Sequence, residues 1–159
     1  MKIMIVSDTH RKHQNLMEAL HREQPIDLLI HLGDAEGTEQ EIAQMAGCPV
    51  EIVAGNNDFF SDLPREKELW LGAYRVLLTH GHYYYVTTST ERIKKEAEDG
   101  NYDIVMFGHT HRPLVDCSTR TMLINPGSIS YPRQEGRQPS YIRLNLERNE
   151  KPQFEIMYL

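Results

Sequence analysis

The amino-acid sequence predicts an α/β fold in which two β-sheets face each other with helices on the outside. Two features of the pattern lead there. Up to Ala54 the chain alternates short apolar runs with helical stretches, the signature of strand–helix–strand units. Beyond Glu68 come a hairpin, one further helix and a run of short apolar segments joined by turns. Two facing sheets fit that order better than a single wound sheet.

Each element has its own justification. Lys2–Val6 (KIMIV) is the first apolar run and the first strand. A helix follows over His13–Glu23, where Leu16, Met17, Leu20 and His21 recur at helical spacing before Pro25 ends it. Asp27–His31 is the second strand. Thr38-x-x-Glu41 has the form of a helix capping box, and Ile42, Met45 and Ala46 carry the apolar stripe on to Gly47. Val50–Ala54 is the third strand. Glu68–Leu71 and Tyr74–Thr79, joined by Gly72-Ala73, form an antiparallel hairpin. Thr88 or Ser89 caps a charged helix running to Glu98, with Ile93 and Ala97 inward and Gly100 as its stop. Ile104–Phe107 is a buried strand, followed by Leu114–Cys117, Met122–Asn125, Tyr141–Leu146 and Phe154–Tyr158. Arg133–Pro139 is the candidate mobile loop, and Tyr83-Tyr84-Tyr85 is expected to alternate in burial within an extended segment or to make a subunit contact.

Composition narrows the classes of function. At 159 residues and 40% hydrophobic, the chain suits one domain, 1–159, with a sizeable core. A net charge of -6 argues against stable nucleic-acid binding, which needs a basic face. Cys48 and Cys117 are far apart and outside any ligand-like cluster, so reduced, buried thiols are expected. Met1 leads straight into the first strand, and no apolar run approaches the roughly 20 residues that span a bilayer. A soluble, cytoplasmic protein without a membrane partner is expected; a homo-oligomer is left open.

Five polar clusters follow the apolar runs: Ser7-Asp8-Thr9-His10, Gly33-Asp34, Gly55-Asn56-Asn57-Asp58, His80-Gly81-His82 and Gly108-His109-Thr110-His111. From Asp8 to Asp34 is 26 residues, then 22 to Asn56, 24 to His80 and 29 to His109, close to a strand, a helix and their turns each time. Parallel strands bring their carboxyl ends, where ligands bind, to one edge. Two carboxylates, one amide and four imidazoles converge there. Packing does not require that collection, and a pair of metal ions does. Asp8-x-His10 and His109-x-His111 would turn both side chains to one face on extended backbone, and the Asp34 carboxylate can bridge two cations. Nitrogen and oxygen ligands without thiolate suit manganese, iron, nickel or zinc. Each cluster alone is more simply a turn or a structural histidine. All five in order at strand ends favour the metal site instead.

The ordered set resembles the calcineurin-like metallophosphoesterases, in their small bacterial and archaeal phosphodiesterase branch. The motifs run from residue 8 to residue 111, and Asn125-Pro126-Gly127-Ser128 resembles a further element of that branch. The resemblance implies a four-layer α-β-β-α sandwich with two mixed β-sheets. It implies that Asp8, His10 and His111 hold one divalent transition metal, that Asn56, His80 and His109 hold a second, and that Asp34 bridges them. Manganese is the first choice. Two ions roughly 3.5–4 Å apart would activate a bridging water for attack on a small phosphate ester. Asp58 is the candidate partner for orienting the imidazoles.

The chain departs from the broad family pattern at two positions. Many relatives carry a histidine at the position of Asn57 that protonates the leaving group or stabilises the transition state; an amide cannot act as an acid. His82 is a candidate for that task and equally a structural histidine. Arg11 stands where a glycine commonly follows Asp-x-His, as a solvated residue or a phosphate contact. His13, His21 and His31 fall outside the clusters, and His21 and His31 are expected to be structural. A metal-dependent phosphodiesterase is the leading function. Its rivals are a monoesterase or pyrophosphatase on small nucleotides, which Asn57 disfavours, and an interaction scaffold resembling the retromer phosphoesterase-like subunit, which has no use for a complete ligand set.

Overall fold

The computed structural model describes residues 1–148 and 150–159. One sheet contains β1 (Lys2–Val6), β2 (Leu28–His31), β3 (Val50–Ile52), β9 (Ser140–Asn145) and β10 (Gln153–Tyr158), in the order β10-β9-β1-β2-β3. The other contains β4 (Glu66–Leu71), β5 (Tyr74–Thr79), β6 (Ile104–Met106), β7 (Pro113–Asp116) and β8 (Met122–Pro126), ordered β4-β5-β6-β8-β7. Both are mixed. β1, β2 and β3 run parallel while β9 and β10 are antiparallel, and β5, β6 and β8 run parallel between antiparallel β4 and β7.

The reason lies in what each strand buries. β1 sends Ile3 and Ile5 into the seam between the sheets and Met4 and Val6 towards the helices, so both faces are covered and the run reads apolar throughout. The seam is completed by Ile30, Leu32, Val53, Val76, Leu78, Ile104, Met106, Ile124, Ile142 and Leu144. α1 (Gln14–Glu23) and α2 (Glu39–Ala46) lie over the first sheet, burying Leu16, Leu20, Ile42 and Ala46 against Met4, Val6 and Leu29. α3 (Glu91–Asp99) covers the second, with Ile93 and Ala97 against Leu77, Val105 and Phe107. At ten residues or fewer, none of these helices would be stable alone in water. Burial of each large side chain, worth roughly 1.5–3 kcal/mol, holds them. The result is the four-layer sandwich expected from the sequence.

α1 has a second anchor. Buried Glu23 meets Lys2 of β1 at 2.8 Å and Arg143 of β9 at 3.2 Å, and it accepts a 2.8 Å hydrogen bond from the Tyr141 hydroxyl. Burial alone would raise the Glu23 carboxyl; these three partners outweigh it and hold the group below its usual range.

Several local expectations need correction. Thr38 is the N-cap of α2 but makes no capping bond, because its hydroxyl donates to Ala35 O at 2.7 Å and lies 3.1 Å from His13. The N-cap of α3 is Thr90, not Thr88 or Ser89. Tyr83 and Tyr84 lie in a 3-10 turn (His82–Tyr84), not an extended segment. Met17 and His21 are exposed on α1, whose buried stripe is Leu16, Ala19, Leu20 and Glu23. Both cysteines are free, but Cys117 is exposed and Cys48 only half-buried. The Arg133–Pro139 stretch is closed by hydrogen bonds from Arg137 N to Gln134 O and from the Gln134 amide to Gln138 O.

Candidate metal centre

The five clusters leave the carboxyl ends of β1, β2, β3, β5 and β6, so both sheets contribute to one edge. Asp8, His10 and His111 bring ligand atoms within 4.8 Å of one another, and so do Asp8, Asp34 and His80. His111 Nε2 is 3.0 Å from Asp8 Oδ1. Asp34 Oδ2 lies 3.7 Å from His10 Nε2 and 3.5 Å from His80 Nε2, between an imidazole of each sheet. The Asn56 carbonyl oxygen is 3.0 Å from His80 Nε2. The His109 ring stands 5.1 Å from the His80 ring, and its backbone N–H donates to Asp8 Oδ2.

Backbone geometry departs from the expected extended Asp-x-His and His-x-His. Asp8, His10, Asp34, His109 and His111 all have positive φ, from 45° to 67°. Left-handed backbone costs a non-glycine residue of order 1–3 kcal/mol, and it persists where the surroundings over-determine it. Here they do. Asp58 accepts the amides of Asp34, Glu36 and Gly55 at 2.6–2.7 Å. Ser128 Oγ donates to Asp8 O, and Asn125 Nδ2 donates to Gly108 O and Thr110 Oγ1. Gly33, at φ +99°, has no room for a side chain, since a Cβ would come within 2.7 Å of His80 Nδ1.

Three imidazoles are fixed by their outer nitrogens. His80 Nδ1 donates to Leu32 O at 2.6 Å, His111 Nδ1 donates to Tyr131 O at 2.6 Å, and His10 Nδ1 pairs with Glu36 at 2.6 Å. A carbonyl can only accept, so Nδ1 of His80 and His111 carries a proton and Nε2 faces inward. His31 has the opposite arrangement: the Gly33 amide donates to its Nδ1, so its Nε2–H meets Thr9 Oγ1 at 3.0 Å. Burial pushes His31 down to about 4, and it is a neutral structural peg between the first two clusters.

The electrostatics call for a cation. Burial would raise Asp8 and Asp34, but His111 and His80 beside Asp8, and His80 and Asn57 beside Asp34, hold both carboxyls below their usual range. Burial would lower His80, yet its contact with Asp34 and the charges of Asp8 and Asp34 raise it to about 9. Carboxylates that hold a proton this firmly on a buried imidazole would hold a metal ion in its place. Asp8 Oδ1 and His10 Nε2 are buried without a hydrogen-bond partner, facing the same space. The residues therefore fit a divalent metal.

A sequence profile for the calcineurin-like phosphoesterase superfamily domain matches residues 1–149. The chain belongs to the calcineurin-like phosphoesterases. This family of metal-binding hydrolases acts on phosphate esters, and the resemblance carried by the five clusters is borne out. The phosphoesterase is 36% identical to the probable metallophosphoesterase YsnB of Bacillus subtilis over 148 residues, 92% of this chain and 85% of the relative. It is 28% identical to phosphodiesterase MJ0936 of Methanocaldococcus jannaschii, across 80% of this chain and 83% of that one. Among solved structures it is similar to a predicted phosphoesterase from Streptococcus pneumoniae, with TM-score 0.84, 25% identity, and coverage of 99% of this chain and 88% of that one.

Three further candidates flank the candidate ligands. Asp58 addresses backbone amides, not imidazoles. Asn57 donates to Asp34 twice at 2.8 Å, from its backbone to Oδ1 and from its side chain to Oδ2. His82 is half-buried, its ring 5.4 Å from that of His80; burial and the His80 and His109 charges push it down to about 4, so it is neutral near pH 7. Arg11 is exposed. Glu36, which positions His10, was not singled out from the sequence; its only signal is its place two residues after Asp34.

Proposed function

We propose that the protein is a metal-dependent phosphodiesterase working through two divalent transition-metal ions, with manganese the first choice. The observation that carries this is the inward Nε2 presentation of His10, His80 and His111 around two buried carboxylates. Asp8, His10 and His111 would hold one ion, Asn56, His80 and His109 the other, and Asp34 both. When bound, such ions lower the pKa of a coordinated water and neutralise charge on the phosphoryl oxygens. Hydrolysis adds water across one P–O ester bond, giving a monoester and an alcohol.

The chain's own residues divide the remaining work. Leu32 O, Tyr131 O and Glu36 keep the three rings in position. Asn57 is engaged with Asp34 and offers no acid to a leaving group, which favours diesters whose alcohol leaves readily; a relative bearing the name phosphodiesterase is consistent with that class. Among the described residues no helix is long and apolar enough to cross a membrane. Two unpaired cysteines suit a reducing cytoplasm.

The test uses protein stripped with chelator and reloaded with manganese, iron, nickel or zinc. Hydrolysis of bis(p-nitrophenyl) phosphate should appear only with metal and exceed that of p-nitrophenyl phosphate by about tenfold or more, the size of one charge-assisted contact, because the monoester carries an extra negative charge that Asn57 does not offset. Faster monoester hydrolysis, or none with any metal, would refute the proposal.

A further inference from the structure

Beside the candidate centre lies an open cleft of ≈ 690 Å³ that shares His10 and His111 with it. Arg112, Arg133 and Arg137 line this cleft. None of the three has a carboxylate partner among the described residues, although the protein as a whole carries a net charge of -6. The acid in the cleft, Glu36, is already engaged with His10. Tyr131, which also lines the cleft, has the Lys12 ammonium 4.2 Å from its ring centroid.

The arginine wall is tied to the centre. His111 Nδ1 donates to Tyr131 O, and Arg133 N donates back to His111 O at 2.9 Å. Ser128 Oγ, which donates to Asp8 O, also accepts the Tyr131 amide at 2.8 Å. The backbone carrying Arg133 therefore shares its anchor points with two candidate ligands. Guanidinium groups present forked donors that match phosphate oxygens, so unpaired arginines around a cleft make an anion site.

We infer that the cleft between Tyr131, Arg112, Arg133 and Arg137 binds a second phosphate group of the substrate, so that the enzyme acts on diesters that carry a further phosphate near the scissile one. The inference rests on the phosphodiesterase reading above. A simple diester fills the centre and leaves the cleft empty; a phosphorylated nucleotide ester fills both.

Two chromogenic substrates isolate the difference: the p-nitrophenyl ester of thymidine 5′-phosphate, and the same ester bearing a 3′-phosphate. Leaving group and scissile phosphate are identical. The expected kcat/KM ratio favours the 3′-phosphorylated ester by about tenfold, the size of one charge-assisted phosphate contact. Arg133→Gln and Arg137→Gln should bring that ratio towards one. Arg120→Gln, exposed in the turn between β7 and β8, should keep the wild-type ratio. A second readout needs no activity: calorimetry of inorganic pyrophosphate with the protein held metal-free by chelator, where Arg133→Gln should weaken binding by about tenfold. A wild-type ratio near one overturns the inference even if pyrophosphate binds, because the cleft would then take free anions and not the substrate. Pyrophosphate binding that ignores the arginine substitutions overturns it as well. Failure to hydrolyse either ester with any metal would instead count against the phosphodiesterase reading, and the calorimetry would still decide whether the cleft holds phosphate.

Discussion

Asp34 and Asn57 show how two residues share one task. Asp34 lies between His10 and His80, and Asn57 fixes both of its oxygens. Asp34→Asn should lower both metal content and kcat far more than Arg11→Ala, which loses at most one phosphate contact worth about 1.5–3 kcal/mol. Steady-state kinetics with metal analysis on each variant checks this, and equal losses would contradict the role given to Asp34. Asn57→Ala removes one of the two bonds to that carboxylate. The metal concentration for half-maximal activity should rise by about tenfold, at the low end for partners of metal ligands, with a smaller change at saturating metal. The sequence showed that position 57 lacks an acid, but not where its amide points, because a side chain's partner 23 residues away leaves no local trace. Glu36 escaped notice for the same reason.

At the scale of elements, the apolar runs placed every strand among the described residues, while helix ends were read less well. Thr38 looked like a capping residue by spacing; tertiary contacts with Ala35 and His13 claimed its hydroxyl instead. Glu23 looked like any charged residue near a helix end, yet it joins α1 to β1 and β9. Its carboxyl is held below the ordinary value of 4.5, so its contribution is present above that pH and is lost as pH falls through the lowered folded value. Lys2 and Arg143 are partly exposed, which moderates the ion pairs. Glu23→Gln should cost about 2 kcal/mol at pH 7, below the 3–5 kcal/mol of a fully buried pair. Urea unfolding of both proteins at pH 7 and pH 3 measures it. The gap between them should narrow at the lower pH; a gap that stays constant would show that ionisation of Glu23 does not stabilise the fold.

At the scale of the molecule, the candidate centre is a joint between the two sheets. Asp8, His10, Asp34 and Asn56 follow strands of one sheet, and His80, His109 and His111 follow strands of the other. This convergence was legible because the spacing of the clusters matches the strand–helix repeat, and parallel strands must end on one edge. The left-handed backbone at five of these residues was not legible, since the loops that carry it are held by side chains distant in sequence, such as Asp58, Asn125 and Ser128. A ligand gripping both sides should therefore stabilise the whole fold, not one loop. At a free metal concentration 100-fold above the dissociation constant, linkage contributes about 2.7 kcal/mol. For a chain of this length that corresponds to a rise in melting temperature of about 5–10 °C. Manganese added to chelator-treated protein should produce this shift in a calorimetric scan, as one cooperative transition. Asp8→Asn and Asp34→Asn should each abolish most of it, whereas Arg11→Ala should keep it. A shift that survives both aspartate substitutions would place the ion elsewhere on the molecule, and a rise confined to a separate low-temperature transition would show that it braces a single loop.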